Sequence, residues 1–181
     1  MNDEEILKQY RLSGDQALLE ELIRRHFDRI YRFVASMTGN CGEVDDLVQD
    51  VLLSVIRNVN QFRGESAFST WVYRIASNRV RRHFETLPRH QTADWVEIEA
   101  VPARESTTAE TGELKKQIDL AIDALSPALR AAILLTCVEG LSPEEAAAVE
   151  NCSPANIHWR VHKARKILKE SLNLDYTDFC D

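Results

Sequence analysis

Apolar residues recur at three- and four-residue steps through almost the whole chain and nowhere alternate at steps of two. A helix needs the first spacing to keep one face against a core, and a half-buried strand needs the second, so this chain must fold as helices. Leu18, Leu22, Ile23, Phe27, Ile30, Tyr31 and Val34 make one stripe. Val44, Leu47, Val48, Val51, Leu52, Val55 and Ile56 make a second, and Trp71, Val72, Ile75, Ala76 and Val80 a third. Leu114, Ile118, Ala121, Ile122 and Leu125 open another set near the C-terminus. Punctuation falls between the stripes: Gly39 and Gly42, the polar break "NVNQFRGESAFS" with Gly64, Ser69 as an N-cap, Ser126-Pro127 as a helix start, Gly140 as a stop, and a second Ser-Pro start at Ser142. The expected fold is all-α, with two small helical domains over residues 1–85 and 114–172. Residues 86–113 carry two prolines, six acids and no periodicity, and predict a flexible acidic linker. Residues 173–181 form a short acidic tail.

Composition narrows the function classes. No apolar run approaches the roughly 20 residues that span a bilayer, so membrane insertion is not expected. The start "MNDEEILKQY" is acidic and lacks a basic-then-apolar leader, which predicts a cytoplasmic protein. Cys41, Cys137, Cys152 and Cys180 are widely separated with no C-x-x-C pair, predicting free thiols. Cys137, inside an apolar helix, is expected to act as a small buried hydrophobe. His158 and His162 have the i, i+4 spacing of helical metal ligands, but no H-E-x-x-H and no third ligand accompany them. No nucleophile-base grouping or phosphate-binding glycine loop appears either. The sequence predicts no metal, no cofactor and no enzymatic activity.

The formal charge is −7, yet positive charge gathers locally. Ser142–Glu150, a tight break at Asn151-Cys152-Ser153, and Pro154–Glu170 have helix-turn-helix spacing, with Asn151 where the turn wants a left-handed backbone. In that motif the start of the second helix meets base edges in the major groove. Ser153, Asn156, His158, Trp159, Arg160, His162, Lys163 and Lys166 fall on that helix, while Ile157, Val161, Ala164 and Leu168 should face the core. A basic helix is more often only a solvated face, and periodicity leaves Trp159 as either core or contact residue.

Three blocks in order resemble the extracytoplasmic-function (ECF) sigma factors of the sigma-70 superfamily. They are "RRHFDRIYRFVASMTGN", "VDDLVQDVLLSVIRNVNQFRGESAFSTWVYRIASNRVRRH" and "ALSPALRAAILLTCVEGLSPEEAAAVENCSPANIHWRVHKARKIL". The resemblance implies a non-catalytic factor that docks on core RNA polymerase, directs it to promoter DNA and helps melt it. By resemblance, Asp45, Asp46, Leu47, Gln49, Asp50 and Leu52 would bind the β′ clamp coiled coil, with acids and an exposed leucine suiting a basic, partly apolar helix. Contact with the β subunit is also implied. Phe62 and Asn78, with Asn58 nearby, match positions that capture an unstacked −10 base. Arg63, Arg74, Arg79, Arg81 and Arg82 would hold the backbone there. Of Trp71 and Tyr73, two apart on one helix, Trp71 is expected in the core and Tyr73 on the DNA side. The Ser153–Lys166 helix would read the −35 element. Asn151, Asn156 and His158-Trp159 depart from residues common in the family, so the base preference of this helix is its own. An anti-sigma factor is a further implied partner. The competing reading is a helix-turn-helix regulator that never docks on polymerase, and Asp50→Arg separates the two.

Overall fold

The computed structural model describes residues 1–39, 42–86 and 110–172, with side chains from 116 onward in the last stretch. All regular structure among them is helical. Backbone contacts divide the chain into two units, Met1–Thr86 with Ala148–Asn151, and Leu87–Ala147 with Cys152–Asp181. Among the described residues no helix is long and apolar enough to cross a membrane. The linker over 86–113 falls almost wholly outside them, as do the tail, Cys41 and Cys180; the helix expected from Leu114 already begins at Glu110.

In the first unit, α1 (Asp3–Ser13) is closed by a capping box, in which Asn2 and Glu5 each accept from the other's backbone N–H, and by a left-handed Gly14. Helix α2 (Gln16–Thr38) starts on Asp15, whose carboxylate accepts from the Ala17 N–H. Helix α3 (Val44–Asn58) runs into a 3-10 turn (Val59–Gln61), and α4 (Phe68–Thr86) completes the unit. Helix α4 begins one residue before Ser69, with the Trp71 N–H bonded to the Ala67 carbonyl, so Ser69 is not its N-cap.

The core of this unit joins Leu19, Leu22, Ile30, Phe33, Val34 and Met37 of α2 to Val48, Val51 and Val55 of α3 and Val72, Ala76 and Val80 of α4. Tyr73 is 2% exposed and meets Phe33 edge-on, with centroids 5.2 Å apart. This corrects the assignment of Tyr73 to the DNA side: it is the more deeply buried of the two, and Trp71 is only half-buried.

In the second unit α5 (Glu110–Asp123) is followed by α6 (Pro127–Ile133), which has Ser126 as N-cap and Pro127 at its first turn. Arg130 of α6 is buried and donates to the Asp123 and Leu125 carbonyls, closing the end of α5, with its Nη1 3.4 Å from Asp123 Oδ1. Burial pushes the Asp123 carboxyl above its usual range against the pull of that guanidinium. A π-helical turn over Leu134–Val138 continues α6, and Cys137 within it is exposed, not buried as a small hydrophobe. The extra residue per turn rolls Cys137 and Val138 away from the core. Helix α7 (Pro143–Glu150), its last residues counted with the first unit, Asn151 at φ 54, and α8 (Pro154–Leu172) follow one another as helix, turn and helix. Ser142 and Glu145 make a capping box for α7, and the Ser153 hydroxyl accepts from the Asn156 N–H to cap α8.

Candidate functional site

The outer side of α2 and α3 is more apolar than a solvated face requires. Phe27 and Tyr31 of α2 are 38% and 36% exposed, and Leu53 and Ile56 of α3 are 40% and 43% exposed. Ile23, Phe27 and Ile56 line a shallow groove of about 490 Å3 whose charged edge is Glu20, Arg24 and Asp28. Four residues along, the Tyr31 hydroxyl donates to Asp45 Oδ1 at 3.0 Å, and that carboxylate holds the phenol above its usual range. Asp45, Asp46, Gln49 and Asp50 are all exposed. Leu47 is not: it is buried in the α3 core face, and Leu52 is half-buried. Neither leucine of the expected docking set is thus the exposed one; on this helix that is Leu53. Sequence reasoning missed Phe27, Tyr31, Leu53 and Ile56 as surface residues.

On α4, Arg74, Asn78 and Arg82 are exposed at i, i+4 and i+8 and so form one stripe. Arg63 stands free of the core on the preceding loop, 3.9 Å from exposed Glu65. Arg81 is half-buried. Arg79 turns back instead, donating through Nε and Nη2 to Ser54 Oγ at 3.2 and 2.8 Å, with Nη1 3.8 Å from Asp50 Oδ2. Asn58 is tied to α3 by its amide, which donates to the Ser54 carbonyl at 2.8 Å. Phe62, expected to wall a base pocket, is buried in a ring cluster with Phe68 and Trp71, at 5.7 and 5.3 Å. Arg74, Asn78, Arg82 and Arg63 are thus exposed, while Arg79, Asn58 and the Phe62 ring are engaged within the unit.

On α8, Ile157 and Ala164 are buried and Val161 and Leu168 half-buried, which fixes the rotation of the helix. Asn156, His158, Trp159, His162 and Lys166 point outward; Arg160 and Lys163 are half-buried. Trp159 is 49% exposed, and Lys163 Nζ lies 4.7 Å from its ring centroid. Trp159 is therefore a surface residue, held by a cation–π contact. Among the described residues no group of three His, Cys, Asp or Glu is arranged to hold a metal ion.

A basic, aromatic outer face on the second helix of a helix-turn-helix places the chain among DNA-binding proteins of that class. Family models narrow the class. That for sigma-70 region 2 matches residues 22–89 and that for sigma-70 region 4 matches residues 115–168. The ECF RNA polymerase sigma-E factor of Escherichia coli is 30% identical over 176 residues, covering 91% of this chain and 92% of that protein. The ECF RNA polymerase sigma factor SigE of Mycolicibacterium smegmatis is 31% identical over 171 residues, covering 88% of this chain and 65% of its own longer length. The solved structure of the sigma factor RpoE from Bartonella quintana, in complex with the anti-sigma factor NepR, superposes with a TM-score of 0.70. It is 26% identical, covering 87% of this chain and 98% of that one. The chain belongs to the ECF family of RNA polymerase sigma factors.

Proposed function

We propose that this chain binds core RNA polymerase and directs it to a specific set of promoters, where it assists melting and initiation without performing catalysis itself. The observation that carries the reading is the pairing of two unlike surfaces: an acid-rimmed apolar face on α2 and α3, and basic faces on α4 and α8. A repressor acting on DNA alone has no use for the first of these.

In this reading Asp45, Asp46, Gln49 and Asp50, together with Phe27, Tyr31, Leu53 and Ile56, hold the β′ clamp coiled coil. Carboxylates around exposed apolar side chains suit a helix that is basic and partly apolar. Arg63, Arg74, Arg81 and Arg82 hold the phosphates of the −10 region, and Asn78 faces its bases. Asn156, His158, Trp159 and His162 meet base edges of the −35 element, while Arg160, Lys163 and Lys166 supply the sequence-independent attraction. An anti-sigma factor is a further partner, supported by the complex in which the RpoE relative was solved.

The test is transcription from a randomised promoter library by core polymerase with and without the protein. Transcripts appearing only with it, and sharing two spaced upstream elements, are the expected result. Absence of both transcripts and core binding would leave the stand-alone helix-turn-helix regulator as the better account.

A further inference from the structure

We infer that Arg11 of α1 is a positioning residue for the loop between the 3-10 turn and α4, and that through this loop it sets which −10 sequences are melted. The inference rests on the sigma-factor reading above. The Arg11 guanidinium donates through Nη2 to the Phe62 carbonyl, across 51 positions of sequence. Phe62 is the residue at which the chain leaves the 3-10 turn, with an extended backbone at φ −65, ψ 118. The loop then runs through exposed residues 63–67, including Gly64 at φ 76, a conformation that resists any other side chain.

The far end of the loop is reached from α1 as well. Asp3 Oδ2 lies 2.7 Å from His26 Nε2, and the His26 ring packs 5.4 Å from Phe68, the first residue of α4. Phe68 in turn packs on Phe62. Helix α1, Arg11, Phe62, Phe68, His26 and Asp3 therefore close a ring, and a cleft of about 940 Å3 lies between α1 and the loop. Helix α1 is fit to act as a fixed post, because its capping box stiffens one end and Ile6 and Leu7 are buried beneath it.

Arg11 itself is exposed. Its bond adds nothing to the apolar core, and what it fixes is the backbone path of a loop carrying Arg63. A loop whose backbone is set beforehand beside the proposed −10 face discriminates, because it cannot re-form around an ill-fitting sequence, whereas a loose loop adapts to right and wrong sequences alike. Nothing in this chain of contacts touches the exposed face of α3. The inference therefore separates two properties that a general loss of stability would move together.

The experiment compares wild type, Arg11→Ala and Arg11→Lys, each assembled with core polymerase. It measures core affinity, thermal midpoint, and open-complex yield on a promoter library randomised at −10. For Arg11→Ala we expect unchanged core affinity, a midpoint lowered by no more than several degrees, and open-complex yield on the preferred −10 sequence down about tenfold relative to disfavoured ones, the scale of one lost hydrogen bond to a charged group. Lysine, which can still donate to the carbonyl, should restore most of that selectivity. Wild-type selectivity in Arg11→Ala would overturn the inference alone. So would a parallel loss of core affinity, midpoint and selectivity that lysine does not rescue. A wild-type protein that yields no promoter-specific transcripts would overturn the sigma reading, and this inference with it.

Discussion

Arg79 and Ser54 form a link between helices α4 and α3: the guanidinium donates twice to one hydroxyl oxygen, at 3.2 and 2.8 Å. That hydroxyl in turn donates to the Asp50 carbonyl at 2.8 Å, and the Asp50 carboxylate lies 3.8 Å from the same guanidinium. Helix α4 carries the basic stripe and α3 the acidic face, so this link fixes the two proposed surfaces to each other. Ser54→Ala removes the acceptor. It should cost about 1 kcal/mol of stability by chemical denaturation. It should also free Arg79, giving tighter sequence-independent DNA binding with a steeper salt dependence.

Asp50→Arg places a cation beside Arg79 and on the proposed polymerase face. Binding to core enzyme should fall by at least about tenfold, roughly 1.4 kcal/mol, while helicity by circular dichroism is unchanged. Undiminished affinity would remove Asp50 from that interface.

Phe27→Ser and Ile56→Ser test the groove. The two side chains are 38% and 43% exposed, so the thermal midpoint should fall far less than on loss of a core residue, whereas core affinity should fall by about tenfold or more. Phe33→Ala is the matching control. Phe33 is wholly buried against Tyr73, and its loss should cost about 3–5 kcal/mol of stability.

The Tyr31 phenol should titrate above its ordinary value of 10.0, because ionising it gives up the hydrogen bond it donates to Asp45 and puts a second negative charge beside that carboxylate. Asp45→Asn should bring it back down, read as phenolate absorbance against a Tyr31→Phe reference. The folded value is raised, so the stability this contact contributes is complete below pH 10 and disappears as pH rises through the folded value.

Trp159→Ser should leave the fold intact, since the ring is exposed and its cation–π contact with Lys163 is worth only about 0.5–1 kcal/mol. The −35 sequence selected from a randomised library should change, with losses concentrated at positions where thymine methyls meet the ring. Unchanged selection would show that the tryptophan faces solvent in the complex too.

Helices were legible from the sequence because their spacing is a local property, and the turn at Asn151 because left-handed backbone has few tolerant residues. Burial was less legible, because it depends on which neighbour covers a stripe. The α2 stripe of seven apolar residues is wider than its neighbours can cover: Leu22, Ile30 and Val34 are buried, while Phe27 and Tyr31 are left outside. That excess width was the available sign of the proposed docking face. Tyr73 took the core place against expectation because a two-residue offset says that its face differs from that of Trp71, not which one meets Phe33; Trp71 is half-buried against Phe62 and Phe68. The π-helical turn that exposes Cys137 has no sequence signature at all, since it arises from how α6 is accommodated in its unit.

An open apolar groove is a hazard for a protein kept in reserve, because identical molecules can adhere through it. The rim answers that hazard. Glu20 and Asp28 edge the groove together with Arg24, and the chain as a whole carries a charge of −7. Two copies approaching each other therefore carry like net charge, whose repulsion reaches about 10 Å at moderate ionic strength. Raising the salt should weaken that mutual repulsion and favour self-association. A cationic helix, the partner proposed for this surface, meets no such net repulsion, so charge would act as a password for a site whose grip is apolar.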